Sequence, residues 1–357
     1  MRILAIETSC DETGAAVIEV KEGKVRLLKN TVATSLVLHK KTGGIIPENA
    51  AREQIKYIIP VINETIEPAK GPTSTRLGEA GEARQGRQSN NGTMNGINAI
   101  AVTVGPGLIG SLLVGVETAK TLSFVFDKPL IPVNHLIGHI YANWIDQKSE
   151  IEFPAIALVV SGGHTDLLLM KGHGNIKWLG GTRDDAAGEA FDKIGRLLDL
   201  PYPGGPTIEK RADGGNPKVF SLPRPMIDSS DFDFSFSGLK TAVLREIQTM
   251  EQLNNEAVSD ICASVQEAII DVLVAKTLKA AKKYKVKSIL LGGGVAANQK
   301  LRDELNSALI THNLGLKLFV PEKFLCTDNA AMIASAAYFN PDPLPWQKVE
   351  AQPELYL

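Results

Sequence analysis

At 357 residues, with 44% hydrophobic and 22% charged residues, the chain has the make-up of an ordinary globular protein long enough for two lobes. A net charge of −2 excludes a polycation, so a nucleic acid would have to meet a local patch or a partner's surface. Three scattered cysteines (Cys10, Cys262, Cys326) speak against a disulfide framework, Glu7 falls too early for a signal peptide, and no apolar run reaches the about 18–20 residues of a membrane span, so a cytoplasmic protein is expected.

In chain order, Ile3–Glu7 and Ala15–Val20 predict two short strands joined by Thr8-Ser9-Cys10-Asp11-Glu12-Thr13-Gly14. Hydroxyls and backbone N–H groups suit phosphate oxygens, and carboxylates suit a metal ion or a proton transfer. The loop is therefore either a solvated hairpin tip or part of a site. Arg52–Ile66 carries apolar residues at helical spacing and stops before Pro68. Residues 69–98 hold almost no apolar side chains and predict a flexible polar insert, whose Arg76, Arg84 and Arg87 read as solvated rather than RNA-binding. Ile97–Val104 predicts a strand ending in Gly105-Pro106-Gly107. A long amphipathic helix follows from Leu108 to Phe126, a turn that offers helix N–H groups to an anion.

Leu130–Val133 predicts a strand end, and the helical spacing beyond it puts His135 and His139 on one face. Two imidazoles one turn apart can share a metal ion that draws further ligands from elsewhere. The alternative is two unrelated histidines, capping or buried. Metallopeptidases with His-Glu-x-x-His use the Glu as general base; Leu136 stands in its place and argues against that chemistry.

Ala155–Val160, the loop Ser161-Gly162-Gly163-His164-Thr165-Asp166 and Leu167–Met170 repeat the strand–polar loop–strand plan of residues 3–20, which predicts two similar halves. Gly162 and Gly163 lack side chains where backbone could approach a ligand. Between Asp184 and Lys193 a loop opens a helix with Asp185, Glu189 and Asp192 on one face, met either by a ligand or by Lys193 and Arg196. Asp231–Lys240 alternates aromatic and polar residues and predicts a half-buried extended segment, with Ser235 or Ser237 capping the helix that begins there. Asp260–Tyr284 predicts a long helix, its lysines from Lys276 to Lys287 reading as a solvated end rather than an RNA surface. Ser288–Leu291 runs into Gly292-Gly293-Gly294, bare backbone suited to a nucleotide, with Asn298 able to bond a hydroxyl. Asp328 opens an alanine-rich helix to about Phe339, either as its N-cap or as a third ligand beside His135 and His139.

These motifs, in this order from Met1 to about Phe339, resemble the TsaD family, also described as Kae/Gcp/YgjD or OSGEP-type, in its bacterial branch. Its members are the transferase subunit of tRNA threonylcarbamoyladenosine biosynthesis. The resemblance implies an α/β actin-like ATPase (ASKHA) fold of two similar lobes, each a mixed sheet flanked by helices, with a nucleotide cleft between them. It divides the chain into an N-terminal lobe over 1–133, completed by the helix 328–340, a C-terminal lobe over 134–327 and a tail over 341–357. It implies transfer of a threonylcarbamoyl group from threonylcarbamoyl-AMP to the N6 amine of an adenosine beside the anticodon, in tRNAs reading codons that start with adenine. His135, His139 and Asp328 match the family's metal ligands; the metal is iron first, with zinc or magnesium as alternatives. Val159, Val160, Ser161, Gly162, Gly163, Asp192, Gly205 and Asn298 match positions that bind the adenylate or ATP, and Asp11 and Glu12 match acidic residues at the reacting centre. Implied partners are tRNA, a TsaB-like paralogue and a TsaE-like ATPase, with no membrane. The insert at 72–96 is longer and more polar than the family's, and the tail has no counterpart in it. An actin-fold small-molecule kinase would need no histidine pair, and a scaffold would need no metal ligands.

Overall fold

Between Arg2 and Glu7 every residue is apolar, so a strand there needs cover on both faces. In the computed structural model, β1 (Arg2–Glu7) lies inside a six-stranded sheet. It pairs antiparallel with β2 (Glu12–Lys21), which pairs antiparallel with β3 (Lys24–Thr34). On its other side it pairs parallel with β5 (Ala99–Gly105), which carries β6 (Leu130–Asn134), while β4 (Thr73–Leu77) adds to β3 in parallel. The structure describes residues 1–36, 44, 46–67, 73–77 and 94–356. The polar insert thus supplies an edge strand at 73–77, and the readings of Arg84 and Arg87 lie outside the described residues.

The second sheet has five strands: β7 (Ala155–Val160), β8 (Thr165–Gly172), β9 (Asn175–Gly181), β10 (Ser288–Gly292) and β11 (Lys317–Phe319). Its order is β11-β10-β7-β8-β9, against β4-β3-β2-β1-β5-β6 in the first. In each sheet an antiparallel meander of three consecutive strands extends from its first strand through two parallel partners. This is the expected repeated half: two mixed sheets, each flanked by helices. The chain divides into two compact units, Met1–Glu150 with Thr327–Leu357, and Ile151–Cys326.

In the first unit, α1 (Pro47–Ile66), α2 (Ile109–Phe126), α3 (His135–Tyr141) and α10 (Ala330–Phe339) accompany the sheet. By length and mean hydropathy (1.4), α2 can cross a membrane, although Glu117 and Lys120 interrupt its apolar run. Leu112, Val116 and Ala119 are its buried stripe against β5, and Glu117 pairs with Lys120 at 2.8 Å on the outer side, the pattern of a core helix. The tail is part of the same unit. Leu344 N–H donates to Leu130 O (2.9 Å), Gln352 N–H to Val104 O (2.6 Å), Val349 is buried in the core and Trp346 meets Phe124 edge-on at 5.3 Å.

The second unit adds α4 (Ala187–Leu197), α5 (Gly204–Ala212), α6 (Ser237–Gln248), α7 (Asn255–Tyr284), α8 (Gln299–Thr311) and the short α9 (Lys323–Cys326). Ile261, Val265, Ile269 and Leu273 of α7 join the core with Ile156 and Leu158 of β7. The lysine run divides. Lys282, Lys283, Lys285 and Lys287 are exposed, but Lys276 is wholly buried, and its ammonium bonds Ser229 Oγ, Asp231 O (3.2 Å) and Asp231 Oδ1 (3.4 Å). That ion anchors the start of the aromatic–polar segment, as a buried charge must be paired.

Candidate metal centre

The first unit brings its chemistry together where β1, β6 and α10 end or begin. Asn134 caps α3, its Oδ1 accepting from Leu136 N–H (2.8 Å) and Ile137 N–H (3.3 Å), so the helix starts at His135. One turn on is His139, and the two rings meet edge to face with centroids 4.6 Å apart. Between them sits Gly138. A Cβ there would lie 2.7 Å from Ile333 Cδ1, so glycine lets α10 cross close over α3. Gly14 does the same on β2, where a Cβ would come within 3.2 Å of Ala330 N. The alanine-rich sequence of α10 makes this approach possible; every side chain from Ala330 to Ala337 is buried.

That approach carries Asp328 to the histidines. Its Oδ1 is 3.5 Å from His135 Nε2 and 3.3 Å from His139 Nε2, and the three ligand atoms lie within 4.8 Å of one another. The cap of α10 is Asn329, which accepts from Met332 N–H at 3.1 Å, so the capping task falls one residue beyond Asp328.

Three observations make this group fit a metal ion. Contacts of 3.3–3.5 Å are longer than the about 2.7–2.9 Å of charge-assisted hydrogen bonds. They match the about 3.4 Å expected between two ligands of a tetrahedral ion bound at about 2.1 Å. His139 is fully buried, yet neither ring nitrogen has a hydrogen-bond partner among the described residues. The Asp328 carboxylate faces it at 3.3 Å, and a buried polar group left without a partner costs about 1–3 kcal/mol. Two imidazoles and one carboxylate are also a donor set that zinc and iron accept.

Electrostatics separate the two rings. Burial pulls His135 down, but the Asp328 and Glu7 carboxylates outweigh it and raise it to about 9. For His139 burial dominates and lowers it; the Asp328 carboxylate opposes this without outweighing it, and the neighbouring His135 charge adds to the lowering. A cation is favoured here, supplied at neutral pH by a proton on His135 that a metal must displace. With one proton released per ion, metal affinity is expected to rise about tenfold per pH unit up to about 9 and then level off. Metal titrations of chelator-treated protein at several pH values test this; a flat profile would contradict it.

The loop after β1 closes one side. Gln54 Nε2 on α1 donates to Cys10 O and Glu12 O (3.1 Å each), and Ser35 Oγ donates to Asp11 O (2.7 Å). Burial, then Asp328, Asp11 and Glu7, push the Cys10 thiol well up, so Asp11 and Asp328 act on one neighbourhood. The residue that sequence reasoning passed over is Glu7. It is fully buried and faces His135 Nδ1 at 3.2 Å.

The remaining candidates all lie in the second unit. Val159 and Val160 end β7, buried in the sheet. Ser161 turns the chain, its N–H donating to His164 O (2.8 Å) and its Oγ accepting from His164 N–H (3.1 Å), with Gly162 and Gly163 exposed and open space where side chains would be. Asp192 Oδ1 accepts from Gly204 N–H at 2.7 Å and thereby fixes the turn that carries Gly205; burial raises this carboxyl above its ordinary range. Asn298 caps α8 through Leu301 N–H (3.0 Å) and donates to Gln266 Oε1 (2.8 Å), so its amide is engaged within the fold. The acidic face at Asp185 and Glu189 is met by Lys193, at 2.7 and 2.9 Å.

Residues 84–335 match the family model described as TsaD: tRNA N6-adenosine threonylcarbamoyltransferase. A protein of that name from Symbiobacterium thermophilum is 50% identical over 337 residues, 94% of this chain and 91% of that one. Its namesake from Bacillus subtilis is 48% identical over 337 residues, 94% of this chain and 89% of that one. Among solved structures, HypF from T.kodakarensis shares the fold at 14% identity with a TM-score of 0.59; the match covers 95% of this chain, which spans about half (48%) of that one. With a family match over most of its length and relatives about half identical across nearly all of it, the chain belongs to the TsaD family of tRNA N6-adenosine threonylcarbamoyltransferases.

Proposed function

We propose that this protein transfers the threonylcarbamoyl group of threonylcarbamoyl-AMP to the N6 amine of an adenosine beside the anticodon, in tRNAs that read codons starting with adenine. The observation that carries the reading is the convergence of His135, His139 and Asp328 within 4.8 Å in a chain half-identical to proteins so named. These three side chains hold one metal ion, iron in the first place, with zinc or magnesium as alternatives. When bound, such an ion supplies Lewis-acid polarisation worth several kcal/mol at the transition state. The second unit's Val159–Gly163 turn, with Asp192, Gly205 and Asn298, holds the adenylate through backbone groups. An exocyclic amine is a weak nucleophile, so placing it against the carbamoyl carbon outweighs removing its proton beforehand. As the new C–N bond forms and AMP departs, the amine turns acidic and Asp11 takes its proton, with Glu12 beside it. That Asp11 and Asp328 both act on Cys10 supports a shared reacting centre.

The work is cytoplasmic, with a TsaB-like paralogue and a TsaE-like ATPase as partners. Reconstitution with threonylcarbamoyl-AMP, adenine-decoding tRNA and those partners is expected to give modified tRNA and AMP in equal amounts. Phosphorylation of a small molecule without tRNA would identify an actin-fold kinase instead, and peptide cleavage a metallopeptidase. Leu136, wholly buried where a peptidase needs its Glu, weighs against the last.

A further inference from the structure

Glu7 ends β1 with no exposed surface. Its Oε1 accepts from Ser9 N–H at 2.6 Å. Its Oε2 accepts from Thr103 Oγ on β5 and faces His135 Nδ1 at 3.2 Å. Donors from the following loop and from the neighbouring strand therefore fix the plane of the carboxylate. Burying a carboxylate is costly unless it is bonded and paired. Among the described residues, the ionisable side chain it touches is His135. Ser9 Oγ, 3.1 Å from the same Nδ1, is the ring's other neighbour on that side. With a carboxylate at Nδ1, the neutral ring carries its proton there and presents the Nε2 lone pair, on the side where Asp328 lies at 3.5 Å.

We propose that Glu7 is a positioning residue of the metal centre: its carboxylate holds the His135 proton on Nδ1 and turns Nε2 onto the ion. The inference rests on the metal-centre reading of the proposed function. It adds that this centre is a carboxylate–histidine–metal relay whose outer member comes from the first strand of the chain.

The test uses the full-length protein, chelator-treated and titrated with Co(II), whose visible absorption reports the ligand field. Wild type is expected to bind one ion, and His139→Ala to lose it. Glu7→Gln keeps the size but not the charge; it is expected to weaken Co(II) binding by about 10–100-fold and to shift the absorption band. Glu7→Asp restores the charge and is expected to recover part of the affinity. A second measurement needs no variant at this position. In 15N-histidine-labelled wild type with Zn(II), His135 is expected to carry its proton on Nδ1 and the ion on Nε2. Equal affinity and an unchanged band in Glu7→Gln, or an ion on Nδ1 of His135, would overturn the role of Glu7 and leave the metal centre standing. Absence of His139-dependent Co(II) binding in the wild type would overturn both. Should Glu7→Gln fail to fold, the nitrogen assignment in the wild type decides.

Discussion

His139→Ala is expected to lower threonylcarbamoyl transfer by roughly a thousandfold, the equivalent of the several kcal/mol that a bound Lewis acid supplies. The fold should survive. Removing this wholly buried ring forfeits packing, but it also removes two nitrogens that have no hydrogen-bond partner among the described residues. Each such group costs about 1–3 kcal/mol, so in metal-free protein the gain and the loss offset. The decisive comparison is therefore linkage rather than stability itself. An ion at a hundred times its dissociation constant stabilises the native state by about 2.7 kcal/mol. Wild type should melt later when metal is added, and the variant should not. A variant that keeps full transfer, or keeps the metal-dependent shift, would show that His139 does not bind the ion.

The second large effect is structural and lies in the other unit. Gly293→Ala is expected to destabilise it by roughly 2–5 kcal/mol, combining a left-handed backbone for a residue with a Cβ and displacement of a packed neighbour. Gly293 has φ +89°, and a Cβ there would lie 2.3 Å from Val160 O and 2.7 Å from Val160 C. The cause is the parallel register of β10 and β7, which sets Gly292 beside Val159 and brings the next residue onto the end of β7. Gly294 is the control. A Cβ there meets nothing within 4 Å and its φ is not in the left-handed region, so Gly294→Ala should change stability by about 0.5 kcal/mol or less. At roughly 2–4 °C per kcal/mol for a unit of this size, the first variant should melt on the order of 10 °C lower. Equal melting of the two variants would mean that the glycine run is not held by contact with β7.

The doubled architecture was legible because strand-loop-strand units announce themselves: apolar runs broken by polar loops at Thr8–Gly14 and Ser161–Asp166. β3 was not, since Lys29, Asn30 and Thr31 are buried in it and a strand carrying buried polar side chains breaks the apolar alternation. β4 hid in a polar stretch because an edge strand can form from backbone pairing alone. At the candidate metal centre the histidine pair was visible as a four-residue spacing on one helix. Asp328 was only one of two readings, because a carboxylate before a helix also caps it; Asn329 takes that task. Glu7 gave no local signal. An acid at the end of a strand ordinarily marks emergence into solvent, and only the pairing of β1 between β2 and β5 makes it interior. The small residues Gly14 and Gly138, which admit α10, likewise acquire meaning only from what crosses them. Asn298 offers one signal for two tasks, an N-cap and a polar contact to a ligand, and the structure shows the cap.

The first unit is interrupted by the whole of the second and is completed by Thr327–Leu357. During translation the two histidines leave the ribosome early, while the aspartate that joins them emerges only after the entire intervening unit has been made. A nascent chain can therefore complete its second sheet before all three side chains of the candidate metal centre have been made.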